Sequence, residues 1–149
     1  MSLIRITKVF SFEAAHALKG YDGQCKNIHG HSYELSVTII GNPIREDISP
    51  KKGMVMDFGD IKKVIKKNII DQFDHALVLS SDYKDGLKDL PQEACDNIVF
   101  VDYQPTSENL LIDFAGRISL LLPGTVRLHS LKLRETGNSY AEWFAEDNN

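Results

Sequence analysis

From His29 to Ile40 the chain alternates strictly. His29, His31, Tyr33, Leu35, Val37 and Ile39 share one parity, and Ser32, Glu34, Ser36 and Thr38 take the other. Side chains of a strand repeat every second residue, so this pattern is a strand with one buried and one polar face. Residues 3–16 carry a second such pattern, with Ile4, Ile6, Phe10, Phe12 and Ala14 on even positions and His16 in the same phase. A short glycine-containing loop, Lys19 to Gln24, lies between them. Two long half-buried strands joined by a short loop predict antiparallel pairing, and the shared apolar face then needs cover.

Two amphipathic helices supply it. Asp57 is a plausible N-cap, and Ile61, Val64, Ile65 and Ile69 follow at helical spacing. Lys62, Lys63, Lys66 and Lys67 form the opposite face, most simply solvated, with phosphate binding as the alternative. Pro105-Thr106-Ser107-Glu108-Asn109 opens the second helix. Leu110, Leu111, Phe114, Ala115, Ile118, Leu121 and Leu122 form its apolar stripe, and Pro123-Gly124 ends it. Val126 to Glu135 reads as a third long strand and Tyr140 to Phe144 as the last. Ile98 to Val101 is a short strand candidate, and 42–53 and 80–97 read as loops. The expected fold is α+β: one domain over 1–149, an antiparallel four-stranded sheet with two helices on one face. The uncovered face and the sheet edges predict sheets joined into an oligomeric barrel.

A chain of 149 residues, 42% apolar, is long enough to bury a core without disulfides. Its formal net charge of -4 gives no electrostatic reason to expect nucleic acid as a partner. It has no apolar run long enough to span a bilayer and no signal-peptide pattern, so a cytoplasmic location is expected, with Cys25 and Cys95 reduced.

The chemistry concentrates in Cys25-Lys26-Asn27-Ile28-His29-Gly30-His31. His29 and His31 share a strand face, and antiparallel pairing brings the end of the first strand, His16, beside them. Three neutral imidazoles with an open fourth position match catalytic zinc; three ordinary strand-end histidines are the plain alternative, and imidazoles also suit other transition metals. Cys25 is open to three readings: a fourth ligand closing a structural site, a base or nucleophile, or an inert thiol. Asp74-His75 is an acid–base pair only if a loop or helix end turns both side chains together. Glu135, in phase with Leu131 and Leu133, needs a partner. Adjacent N–H donors of a heterocycle or a salt bridge, for example to Arg134 or a neighbouring subunit's Arg127, would each serve. His129 reads as an ordinary strand residue.

Together these pieces resemble the 6-pyruvoyltetrahydropterin synthase superfamily, and most closely its bacterial 6-carboxytetrahydropterin synthase branch. The resemblance is carried in order by Phe12-Glu13-Ala14-Ala15-His16, Cys25 to His31, Gly53-Met54-Val55-Met56-Asp57-Phe58, Asp74-His75, Pro105 to Leu110 and Leu133-Arg134-Glu135-Thr136. It implies the tunnelling fold and zinc at His16, His29 and His31. Cys25 would be the catalytic thiol, Asp74 with His75 the second proton-transfer group, and Glu135 the pterin anchor, with Thr106 and Ser107 near it. A homo-oligomer is implied, a hexamer, with active sites between subunits.

The implied reaction converts 7,8-dihydroneopterin triphosphate to 6-carboxy-5,6,7,8-tetrahydropterin with release of acetaldehyde and triphosphate, in queuosine biosynthesis. Three residues separate Cys25 from His29, a short spacing that resembles the carboxy-forming enzymes. Phe73 stands where leucine is usual, and residues 80–104 are longer than in compact members. The alternatives are a 6-pyruvoyltetrahydropterin synthase and a non-catalytic zinc-stabilised module.

Overall fold

The computed structural model describes residues 2–148. β1 (Ile4–His16) and β2 (His29–Gly41) pair antiparallel over their whole length, from Ile4 opposite Gly41 to His16 opposite His29. β5 (Val126–Thr136) adds antiparallel to β2, and β6 (Ser139–Phe144) to β5. On the other side of β1 lie β3 (Ala76–Ser80) and then β4 (Ile98–Val101), both parallel to their inner neighbour. The sheet is therefore six-stranded and mixed, in the order β4-β3-β1-β2-β5-β6. This corrects the expected four-stranded antiparallel sheet.

β3 is the element that alternation cannot reveal. All five of its residues are buried. Ala76 and Val78 face the main core, whereas Leu77 and Leu79 join a second cluster with Ala17 on the opposite face. A strand buried on both sides reads as a continuous apolar run. The segment expected to be a loop with at most one short helical turn supplies that second cover: it forms two 3-10 turns, Ser81–Gly86 and Gln92–Ala94, and Tyr83, Leu87 and Cys95 pack there with Ile98 and Phe100.

Both helices lie over the main core. α1 (Phe58–Ile65) starts where the Asp57 carboxylate accepts a hydrogen bond from the Gly59 N–H at 2.6 Å. It runs on through a π-helical stretch, Lys66–Ile70, and a final α turn, Asp71–Phe73. The wider turn inserts a residue into the helical phase. Ile69, Ile70 and Phe73 thereby continue the buried stripe that Ile61 and Ile65 begin. α2 (Ser107–Leu121) is capped by Thr106, whose hydroxyl accepts from the Asn109 N–H at 3.3 Å. Its Phe114 meets Phe12 and Phe73 edge-on, and Phe12 stacks on Tyr33 at 5.1 Å. Each such buried side chain contributes about 1.5–3 kcal/mol.

The outward face of β1 and β2 is polar, with Thr7 bonded to Thr38 and Ser32 to Glu13 across the strands. Among the described residues no helix is long and apolar enough to cross a membrane.

Candidate active site

The pairing register builds a three-histidine cluster that could hold a metal ion. His16 lies directly opposite His29 on the core-side face, and His31 follows two residues along the same face, opposite Ala14. One ligand atom from each imidazole lies within 4.8 Å of the others. The three rings sit 4.5, 5.1 and 4.9 Å apart by their centroids.

Outer hydrogen bonds fix the ring orientation. His16 Nδ1 donates to the Pro105 carbonyl at 2.7 Å, and His29 Nδ1 donates to the Asn27 carbonyl at 2.7 Å. Both Nε2 lone pairs then face each other, 3.0 Å apart. His31 Nε2 is buried without a hydrogen-bond partner. Burial, chiefly, holds the pKa of both His16 and His31 below the ordinary imidazole value, so they are neutral at pH 7. Converging neutral lone pairs with an orphaned third nitrogen repel unless a cation sits among them, and this donor set fits zinc. Beneath them lies Tyr33, 2% exposed, its hydroxyl 3.5 Å from His16 Nδ1 and its pKa pushed up by burial.

A cavity of about 270 Å³ opens beside the triad. His16, Cys25, Thr106, Ser107 and Glu135 line it, with Tyr21 and Tyr140. Cys25 sits in a 3-10 turn, Gln24–Lys26, tied to the strand end by the Leu18 N–H donating to its carbonyl at 3.0 Å. Its sulfur is not part of the ligand group. The sequence alone left Glu135 between two partners. Arg134 turns instead towards Glu34, 3.9 Å away. Glu135 Oε2 accepts from the Ser107 hydroxyl at 2.7 Å, and Oε1 lies 3.5 Å from His31 Nε2. Ser107 thus holds the carboxylate in place, and the Thr106 hydroxyl is engaged as a helix cap.

Asp74 and His75 lie elsewhere. His75 takes a left-handed backbone conformation, φ 59°, which lets adjacent side chains converge. Its Nδ1 stands 3.0 Å from Asp74 Oδ1. The same carboxylate oxygen accepts from the Glu13 N–H at 2.9 Å, while the His75 N–H donates to the Glu13 carbonyl at 2.6 Å. Asn97 Nδ2 donates to the His75 carbonyl at 3.3 Å. The imidazole projects outward, 79% exposed, with Nε2 free. His75 lines a different cavity, about 490 Å³, which His31 of the triad also borders, with Glu13, Ser32, Asp96 and Asn97. Cys25 is not on that cavity's wall, nor His75 on the first.

Glu13, Asn97 and Tyr33 are participants that sequence reasoning missed. Parity placed Glu13 on the outer face, but its clamp on the dyad depends on a parallel neighbour that the alternation does not reveal. The lysines of α1 line neither cavity.

The model of the 6-pyruvoyl tetrahydropterin synthase family matches residues 5–146. The chain belongs to that family. A 6-carboxy-5,6,7,8-tetrahydropterin synthase from Haemophilus influenzae is 34% identical over 95% of this chain and 99% of its own length. A synthase of the same name from Rickettsia typhi is 36% identical over 94% and 99%. The solved structure of the Caenorhabditis elegans 6-pyruvoyl tetrahydropterin synthase superposes with a TM-score of 0.67 at 25% identity, covering 97% of each chain. The mixed sheet with helices on one face is thus shared with the synthase family.

Proposed function

We propose that this chain is a zinc-dependent 6-carboxytetrahydropterin synthase of queuosine biosynthesis, working in the cytoplasm as a single domain over residues 1–149. It would convert 7,8-dihydroneopterin triphosphate and water to 6-carboxy-5,6,7,8-tetrahydropterin, acetaldehyde and triphosphate. The observation that carries this reading is the three-histidine cluster, whose His16 lines one cavity with Cys25 and Glu135. Two near-full-length relatives bearing that enzyme name support it.

His16, His29 and His31 would hold zinc, which supplies Lewis acidity at the substrate side chain. Glu135, fixed by Ser107, has the geometry to accept parallel hydrogen bonds from the N–H edge of a pterin and so to aim its side chain at the triad. Thr106, capping α2, sets the wall beside it. Cys25, outside the ligand group, takes a proton from the substrate as its thiolate. The His75 imidazole, held through Nδ1 by Asp74, exchanges a proton at Nε2.

Cys25 and His75 line separate cavities within one chain. His31 borders the His75 cavity and His16 the Cys25 cavity, and the site that uses both would close where the His75 cavity of one subunit meets the Cys25 cavity of the next. This supports a homo-oligomer, a hexamer by family resemblance, with sheets joined into barrels and active sites between subunits. Metal-loaded protein incubated with dihydroneopterin triphosphate should yield acetaldehyde and the 6-carboxy product by mass. A product retaining all side-chain carbons would assign the pyruvoyl-forming reaction instead, and no consumption of substrate with zinc bound would overturn the enzymatic reading.

A further inference from the structure

At the end of the sheet remote from the triad, Arg5, Ile40 and Arg127 stand side by side on β1, β2 and β5. Neighbouring strands are about 4.8 Å apart, so the two arginines flank Ile40 with about 10 Å between their backbones. Ile40 is 5% exposed and forms an apolar floor between them. The register slips beside it, leaving His129 as the extra residue of a bulge in β5. Its ring reaches across to Arg5, where the guanidinium Nε–H donates to His129 Nε2 at 2.7 Å. His129 Nδ1 in turn donates to the Ser130 hydroxyl at 3.0 Å. This chain of bonds fixes the Arg5 fork, and among the described residues its terminal N–H groups have no hydrogen-bond partner.

Arg5, Arg127, His129 and Trp143 line one cavity of about 600 Å³. Glu146 lines it too, but among the described residues neither arginine takes part in an ion pair. The cavities described above have the opposite balance. Glu13 and Asp96 line the one at His75, Glu108 and Glu135 the one at the triad, and neither contains a lysine or arginine.

We propose that Arg5, Arg127 and His129 form a binding site for phosphate oxyanions, best suited to a polyphosphate that bridges both guanidinium groups. Two planar forks on strands about 10 Å apart, one held in place by the His129 imidazole, match bidentate recognition of phosphate. Along β1 the distance from Arg5 to His16 is about 36 Å. The site therefore does not serve the phosphates of a ligand bound at the same chain's triad. Its ligand is either a phosphate chain presented at a neighbouring subunit or free inorganic polyphosphate.

Titration of metal-free protein with inorganic tripolyphosphate should give saturable binding that weakens as salt is raised. Arg5→Gln and Arg127→Gln should each weaken it by about tenfold or more, the scale of one lost charge-assisted contact. Lys63→Gln, on exposed α1, should leave it unchanged. Tripolyphosphate should also protect Arg5 and Arg127 of the unaltered protein from phenylglyoxal, mapped by peptide mass. A raised KM for phosphorylated substrate in the double Gln variant would mark the neighbouring-subunit source. An unchanged KM with tripolyphosphate binding lost would mark free polyphosphate. No saturable binding, binding that survives the double substitution, or absent protection would overturn the proposal. None of the binding measurements depends on turnover, so they stand apart from the reaction proposed above.

Discussion

His75 is the residue whose replacement separates structure from chemistry most cleanly. Positive φ occurs at Gly20 and Gly53, where glycine carries no steric penalty, and at His75, where a β-carbon does. The left-handed conformation costs a non-glycine residue about 1–2 kcal/mol. His75→Gly and His75→Ala delete the same imidazole, but only glycine relieves the backbone. Alanine recovers about 0.4–1 kcal/mol by restricting the unfolded chain. Glycine should therefore be the more stable of the two by about 1 kcal/mol, or about 2–4 °C in melting temperature for a chain of this size. Parallel thermal and urea melts measure the difference. Both variants should lose about 10²–10⁴-fold in kcat, the range for a general acid–base group, and added imidazole should restore part of it. An alanine variant melting at or above the glycine variant would refute the strain argument. A glycine variant with undiminished turnover would refute the role assigned to the ring.

Zinc at a hundredfold excess over its Kd should add about 2.7 kcal/mol to stability, about 5–10 °C in melting temperature, and His29→Ala should abolish the shift. Cys25→Ala should keep that shift yet lose turnover; loss of zinc together with folding would favour a closed structural site. Ser107→Ala should cost about 1 kcal/mol of Glu135 positioning, read as a roughly fivefold fall in kcat/KM with the melting temperature nearly unchanged. Burial lowers the pKa of His16 and His31 in the fold. The unfolded chain therefore takes up protons first as pH falls below 6.5. Metal-free stability should be full above that value and decline from there down through the lowered pKa values, and apo melts across pH 7.5 to 5 measure it.

The legible part of this molecule is the part with period two. The alternations of β1 and β2 alone place His16, His29 and His31 on one face, because parity and hairpin pairing together determine which side chains meet. The helix cap at Asp57 and the opening of the second helix at Pro105 to Asn109 were legible for the same local reason. β3 was not, since Leu77 and Leu79 are buried against a segment whose polar composition reads as loop. The Asp74–His75 geometry was hidden with it: a positive φ and a clamp from Glu13 are consequences of the parallel neighbour, not of the dipeptide. Glu135 was legible as a residue in need of a partner, but Ser107, which holds it, is brought up by the first turn of a helix far away in the chain.

The full-length register of β1 against β2 has a consequence for quality control. A slip of β1 by one residue would turn Phe12 outward and would also take His16 off the face it shares with His29. Core packing and metal capacity therefore fail together. If the cluster holds the proposed metal, bound metal per chain would be a direct count of correctly registered hairpins, usable as a folding assay where no substrate is at hand.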